Sequence, residues 1–426
     1  MAESMAPPRS PVLALCCFLA AACGGSTAGG PPGKGDKDGG AGGDGGTAAL
    51  SDGGTPDEGS SGAVDSGSPG VAPDSGSLGA APDSGNAGGP AGDAGPRGDA
   101  GAGGVDAGQA ADAGPAADAG TPGFPASLPP YVYPPVAIAT LDFGVNGDTR
   151  PILYDLDYPT AVITTIFEDL AALQPPVAFV VATGDYMFAD PTGLLGNKAA
   201  EQANLWMGAA QKFLDIGSPV YASMGNHECD WATSNDNCYG QETTNENYEA
   251  FLENILGGLG ISQGAIPYYA VTYESSDPTR PWTAKFLYTA PNSWDSNDVQ
   301  KDWVDQVLSI PTTYTFLVRH EPTNNPGPAP GVQPTDDLLT QHPFTLKLTG
   351  HSHCYQYDLQ NREVINGLAG AQIDTGCSYD YGYVVCRQRD DMAIQCSLYD
   401  YQSNAVVSGT GATFAVTPAG ADVPPQ

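Results

Sequence analysis

Beyond residue 125, short apolar runs alternate with stretches in which apolar residues recur at helical spacing. In the first half of this region the pattern predicts strands at 136–144, 177–185 and 219–226, followed by helices at 160–173, 198–216 and 244–258 respectively. In the second half it predicts strands at 268–274, 283–290, 314–321 and 344–352, a helix at 296–309, and only strands after Tyr355. Strands joined by helices indicate a partly parallel α/β sheet, and the additional strands predict a second sheet packed on it.

The first 125 residues lack this pattern. From about residue 24 to 125 the chain consists almost entirely of Gly, Ala, Asp, Ser and Pro, and this stretch has no aromatic residue before Phe124. Such a segment cannot bury enough apolar surface to offset its chain entropy. We therefore predict a disordered linker over 23–125 and one folded domain over 126–426.

The N-terminus has the layout of a secretory signal peptide over residues 1–22. Arg9 precedes an apolar run, Val12 to Ala22, that is too short to span a bilayer. The sequence "LAAAC" that ends at Cys23 resembles the lipobox of bacterial lipoproteins, although Ala20 stands where Leu is usual. This resemblance predicts lipidation of Cys23 and, because Gly24 rather than Asp follows it, the outer membrane. The alternative is plain secretion after cleavage nearby.

Six cysteines remain in the folded region, and an even number in an exported chain indicates disulfides. One pair flanks a short polar loop, and a second lies in an alternating pattern broken by a polar turn, so that its members can face each other across a hairpin. Ligation of a metal by thiolates is the alternative, but the sequence has no C-x-x-C spacing. The predicted pairs are Cys229 with Cys238, Cys386 with Cys396, and Cys354 with Cys377.

The folded region is strongly acidic. Residues 126–426 contain 34 acidic and 11 basic residues, a net charge of −23, and no cluster of Lys or Arg. Because a nucleic-acid-binding protein needs a basic surface to neutralise phosphates, we expect no nucleic-acid partner. The expected contact with a membrane is only through the lipid anchor.

Each of five predicted strands ends in a small polar cluster. A single cluster of this kind is usually a turn, but four of the five histidines lie in these clusters and only His342 lies outside them. Ligands bind beyond the carboxyl ends of strands in α/β sheets, and these side chains suit a divalent metal such as Zn, Mn or Fe. The clusters are Asp142 with Gly144, Gly184 with Asp185, Asn226 with His227 and Glu228, His320, and His351 with His353.

The motifs "DFG", "GDYMFAD", "GNHE", "LVRHEP" and "GHSHCYQ" resemble, in order and spacing, the five blocks of calcineurin-like metallophosphoesterases. The pattern is most similar to the purple acid phosphatase branch, and the resemblance covers residues 136–357. It implies a four-layer αββα sandwich and hydrolysis of phosphate esters, with monoesters as the expected substrates. Such centres use two divalent ions and a water whose pKa the ions lower.

Carried over by position, the resemblance implies the following roles. One metal is bound by Asp142, Asp185 and His353, and the second by Asp185 together with Asn226, His320 and His351. His227 would contact a phosphoryl oxygen or protonate the leaving group, with Glu228 as its orienting partner. Arg319 and Arg150 lie near two of the clusters and are candidates for phosphate binding, with an ordinary surface role as the alternative.

The chain departs from the family pattern at one ligand. Phe188 stands where the family has a metal-binding Tyr, and Gly144 stands where other branches have a compensating His. The first metal would then have only two carboxylates and one imidazole from the protein. Two alternatives stay open: a phosphodiesterase with the same metal core, and a catalytically inactive surface-binding module whose first site no longer holds metal.

Overall fold

The computed structural model describes residues 124–426 except residue 126 and the segments 154–157, 190–195, 197, 230–236, 242–243 and 262–265. The predicted signal peptide (1–22), Cys23 and the linker as far as residue 123 lie outside the described residues. Within the described part of the chain, no helix combines the length and apolar character needed to cross a membrane.

The elements follow the predicted alternation of strands and helices. The helices are α1 (Thr160–Ala172), α2 (Ala199–Leu214), α3 (Glu246–Ala250, continued by a π-helical turn Phe251–Leu256), α4 (Val299–Leu308) and α5 (Val332–Leu339). The strands are β1 (Val136–Ile138), β2 (Asp142–Asn146), β3 (Phe179–Ala182), β4 (Val220–Ala222), β5 (Tyr269–Ser275), β6 (Thr283–Tyr288), β7 (Tyr314–Val318), β8 (Leu346–Thr349), β9 (Tyr355–Asp358), β10 (Glu363–Asn366), β11 (Gly382–Gln388), β12 (Ile394–Asp400), β13 (Ala405–Val406), β14 (Thr413–Val416) and β15 (Asp422–Val423). Helix α5 is the one element of substantial length that the periodicity did not predict.

The strands form two sheets. The seven-stranded sheet has the order β1-β5-β6-β7-β8-β10-β9, and the eight-stranded sheet has the order β15-β14-β12-β11-β2-β3-β4, with β13 paired to β12. Strands β2, β3 and β4 are parallel to one another, as are β6, β7 and β8. The carboxyl ends of each group therefore lie at one edge of its sheet.

The two sheets pack face to face between two layers of helices, which confirms the αββα sandwich. Aromatic rings fill the space between the sheets: Phe143 of β2 meets Phe286 of β6 and Phe316 of β7 with ring centroids 5.1 and 5.2 Å apart. The neighbouring residue of β6, Leu287, faces the opposite side and packs with α4 and α5. Helices α1 and α2 cover the eight-stranded sheet through side chains such as Phe167.

The predicted strand 136–144 is in fact two strands in different sheets. Strand β1 pairs with β5 in the seven-stranded sheet, whereas β2 pairs with β3 and β11 in the eight-stranded sheet. Both segments are apolar, so their sequence does not show the change of sheet between them. Consequently β2 begins, rather than ends, at Asp142, and its carboxyl end is Asn146.

All three predicted disulfides are present: Cys229–Cys238, Cys354–Cys377 and Cys386–Cys396. The last pair lies directly opposite across the β11–β12 hairpin, as its pattern predicted. Such bonds indicate an extracellular or otherwise exported protein.

Candidate metal centre

Five strands from the two sheets direct the turns at their carboxyl ends to one place. Hydrogen bonds connect the turns after β2 and β3 directly: the amides of Asp148 and Thr149 donate to the carbonyls of Gly184 and Asp185 at 3.1 and 3.0 Å. Gly225, after β4, packs so closely that a Cβ there would lie 2.3 Å from Asp185 Oδ1. The side chains that these turns bring together form two clusters that share Asp185.

The cluster at the predicted second metal, called the second cluster, consists of Asp185, Asn226, His320 and His351. His320 Nε2 lies 3.2 Å from Asp185 Oδ1 and 3.3 Å from His351 Nδ1, which is in turn 3.1 Å from Asn226 Oδ1. On its other side, His320 donates from Nδ1 to the Thr183 carbonyl at 2.9 Å. In a neutral His320 the Nε2 lone pair therefore points at a carboxylate oxygen, an arrangement that a cation between them would relieve.

The charges in the second cluster also favour a bound cation. Burial alone would lower the pKa of His320, but the carboxylates of Asp185 and Asp148 outweigh burial and raise it to about 10. These carboxylates therefore favour a positive charge at Nε2. The donor set of two imidazoles, one carboxylate and one amide oxygen fits a divalent ion such as Zn or Mn.

The first cluster consists of Asp148, Asp185 and His353. Their ligand atoms all lie within 4.8 Å of one another. Asp148 Oδ1 is buried without a hydrogen-bond partner, 3.5 Å from His353 Nε2, and burial raises the pKa of this carboxyl. His353 donates from Nδ1 to the Gln372 carbonyl at 2.7 Å, so its Nε2 lone pair faces the cluster. These donors are also of the type that divalent ions use.

The structure corrects the prediction for Asp142. This residue begins β2, at the end of the strand opposite the carboxyl-end turn, and its carboxylate accepts from Arg387 Nη1 at 3.2 Å. Asp148, six residues later, lies beyond the carboxyl end and takes the predicted place. The sequence did contain a signal for Asp148, because Gly147–Asp148 repeats the pair Gly184–Asp185. In the structure both Asp residues have φ 59°.

His227 and Glu228 share a buried 3₁₀ turn but face different neighbours. His227 is 8% exposed, with Nε2 3.7 Å from Asp185 Oδ2, and burial lowers its pKa to about 3. The carboxylate of Glu228 instead accepts backbone N–H groups of Asp185, Tyr186 and Gly225 at 2.9, 2.7 and 2.7 Å. Burial and the charge of Asp185 raise the pKa of Glu228 to about 7. Glu228 is thus a positioning residue of the ligand turns, not the predicted orienting partner of the His227 ring.

The two arginine candidates have different positions. Arg319 is fully buried and pairs with Asp336 at 3.0 Å and Glu363 at 3.6 Å, so the prediction that it binds substrate is wrong. Arg150 lies in the centre, with Nε 3.3 Å from Asp185 Oδ2 and Nη2 3.3 Å from His353 Nε2.

Tyr186, the tyrosine of the same turn, does not replace the missing ligand at Phe188. The Phe188 ring packs against His227 with ring centroids 4.5 Å apart. The Tyr186 hydroxyl lies between the strands, 3.0 Å from the Ala182 carbonyl and 2.9 Å from that of Ser223. Burial also raises the pKa of this phenol well above 10, which disfavours the tyrosinate form.

Residues 157–355 match the family model described as calcineurin-like phosphoesterase. These residues belong to the calcineurin-like phosphoesterase family. The site turns after β3, β4, β7 and β8 all lie within the matched segment, whereas Asp148 and Arg150 precede it. No curated protein matches the sequence significantly.

Several solved structures are similar to part of this chain. The purple acid phosphatase from yellow lupin (Lupinus luteus) seeds is 16% identical, with a TM-score of 0.45, over 67% of this chain and 55% of its own. GAP50, the anchor in the inner membrane complex of Plasmodium, is 15% identical with a TM-score of 0.43, over 64% of this chain and 88% of its own. PhoD is 13% identical with a TM-score of 0.40, over 67% of this chain and 71% of its own. This chain therefore spans about 55% of the lupin phosphatase, and likeness at this level says nothing about its activity.

Proposed function

We propose that this chain hydrolyses phosphate esters, and monoesters in particular, at the centre formed by the two clusters. The observation that carries the proposal is the second cluster, in which His320 Nε2 lies 3.2 Å from Asp185 Oδ1 beside a buried neutral His227. A divalent ion bound there supplies Lewis acidity and lowers the pKa of a water. An ion at the first cluster as well would complete the two-metal centre that the sequence predicts.

The residues of the chain position the substrate for an attack by water. In the reaction the water oxygen forms a bond to phosphorus, the ester P–O bond breaks, and the proton of the water passes to the leaving oxygen or to solvent. Because burial lowers the pKa of His227 to about 3, its ring is neutral at physiological pH. A neutral imidazole suits a hydrogen bond to a phosphoryl oxygen better than proton donation to the leaving group.

The fixed positive charge of Arg150 supports a monoester as the substrate. Its guanidinium is a cation that lies within the centre. A phosphate monoester is largely a dianion at neutral pH, whereas a diester carries one negative charge. The additional cation therefore favours the monoester, which we expect to bind as a small phosphorylated molecule.

The test compares His351→Ala with His342→Ala. His351 belongs to the second cluster, whereas His342 lies outside both clusters and pairs with Asp305 at 2.6 Å. We expect His351→Ala to lower the metal content and to reduce turnover of an aryl phosphate by orders of magnitude, while the thermal unfolding transition is retained. The control should match the parent protein in all three measurements.

The same assay separates the alternatives. Faster turnover of a bis-aryl phosphate than of the aryl phosphate would favour the phosphodiesterase. Metal-loaded parent protein that turns over neither substrate would contradict the proposal and favour a binding module.

A further inference from the structure

Arg150 is hydrogen-bonded to two of the three candidate ligands of the first cluster. The residue lies two positions after Asp148, in the turn beyond β2. Its Nε donates to Asp185 Oδ2 and its Nη2 to His353 Nε2, both at 3.3 Å, while Nη1 donates to the Pro151 carbonyl at 3.2 Å. Two of the three groups that would bind a first ion, Asp185 and His353, are therefore already engaged by a cation, whereas Asp148 Oδ1 is not.

An aromatic ring packs against the Arg150 guanidinium and holds it in this place. The guanidinium carbon lies 4.4 Å from the centroid of the Phe188 ring, a cation–π arrangement, and the Arg150 side chain is 13% exposed. Phe188 occupies the position at which the family motif has a ligating Tyr. A single change of residue type thus removes a metal ligand and provides an aromatic surface for a guanidinium.

The position of the Arg150 guanidinium distinguishes the two clusters. Guanidinium remains protonated in proteins, so an ion among Asp148, Asp185 and His353 would lie beside a permanent positive charge. The two oxygens of Asp185 have different neighbours: Oδ1 faces His320 Nε2 and the His227 backbone N–H, whereas Oδ2 faces Arg150. The carboxylate that would bridge two ions can instead bridge one ion and one guanidinium.

We infer that the Arg150 guanidinium takes the place of the first ion, so that the centre binds a single divalent ion at the second cluster. This inference rests on the proposed function and alters the number of ions that the sequence predicts. In this arrangement Arg150 also binds an oxygen of the substrate phosphate, for which its planar fork of N–H groups is suited.

The test measures metal content by elemental analysis after exchange with Zn²⁺ and dialysis. We expect one ion per chain in the parent protein and in Arg150→Lys, which keeps the charge. Arg150→Gln removes the charge and should bind two. The matched control is Arg387→Gln, because Arg387 also pairs with an aspartate, Asp142, but at the opposite end of β2; it should retain one ion.

His353→Ala keeps the inference testable if Arg150→Gln does not fold. With a guanidinium in the first cluster, loss of this imidazole leaves the metal content at one ion per chain, whereas a two-ion centre would fall from two to one. A parent protein with two bound ions would overturn the inference and leave the proposed function intact. A parent protein that binds no ion would contradict both.

A second measurement follows phosphate instead of metal. Inorganic phosphate is used as a competitive inhibitor of the parent protein and the variants, each loaded with one equivalent of Zn²⁺. It should bind at least tenfold more weakly to Arg150→Gln, with Arg150→Lys between the two. Manganese-loaded protein should give the electron paramagnetic resonance spectrum of an isolated Mn²⁺ ion in the parent and of a coupled pair in Arg150→Gln. A coupled spectrum in the parent, or unchanged phosphate inhibition in Arg150→Gln, would contradict the role given to Arg150.

Discussion

Asp185 uses its two carboxylate oxygens in different directions. Oδ1 faces His320 Nε2 and accepts the His227 backbone N–H, both at 3.2 Å, whereas Oδ2 accepts from Arg150. Burial alone would raise the pKa of this carboxyl, but His320, His227 and Arg150 outweigh burial and hold the pKa well below its usual value. Asp185 therefore remains an anion at physiological pH and can connect the two clusters.

The assignment of Asp148 can be tested against Asp142 with the same chemical change. Asp148→Asn keeps an acceptor for the His351 N–H but removes a buried charge whose Oδ1 lies 4.0 Å from His320 Nε2. We expect metal affinity and turnover to fall by at least about tenfold, on the order of 1.4 kcal/mol or more. Asp142→Asn loses the ion pair with Arg387, about 1 kcal/mol of stability, and should retain metal and activity. Loss of metal in Asp142→Asn alone would restore the assignment made from the sequence.

At the scale of elements, one side chain fixes the turns after β3 and β4 to each other. Glu228 follows β4 and accepts N–H groups from Asp185 and Tyr186 after β3, and from Gly225 in its own turn. Glu228→Gln has nearly the same shape, but its amide nitrogen cannot accept a hydrogen bond. At least one backbone N–H would then face another donor in a buried site.

We therefore expect Glu228→Gln to lower the free energy of unfolding by roughly 1–3 kcal/mol, the cost of an unsatisfied buried donor. Metal affinity should also fall, because the moved turns carry Asp185 and Asn226. Chemical denaturation and metal titration measure the two effects, and Glu249→Gln, on the exposed side of α3, is the control. Unchanged stability together with lost turnover would instead indicate a direct part in the reaction.

At the scale of the whole molecule, the N-terminal segment and the disulfides both bear on whether the protein is exported. The folded region carries three disulfides, which agrees with an oxidising compartment. The predicted linker is acidic in sequence and contributes to the formal charge of −34 for the full chain.

We propose that Cys23 is the lipidated N-terminus of the mature protein. Expressed in a bacterium with a lipoprotein pathway, the full chain should partition into the detergent phase, whereas Cys23→Ser should remain in the aqueous phase. Cys17→Ser, a change at another cysteine of the apolar run, should behave like the parent. Equal partitioning of the parent and Cys23→Ser would exclude the anchor.

The sequence by itself determined the properties that depend on neighbours along the chain. Periodicity located the strands and helices, residue type marked His320, His351 and His353 as ligand candidates, and a hairpin pattern paired Cys386 with Cys396, because each of these signals is complete within a short segment. Only the tertiary structure decided which apolar segment enters which sheet. It divided residues 136–146 between two sheets and so placed Asp148, not Asp142, in the centre. It likewise buried Arg319 and brought Arg150 to the candidate metal ligands, because strand pairing between residues distant in sequence fixes which side chains meet.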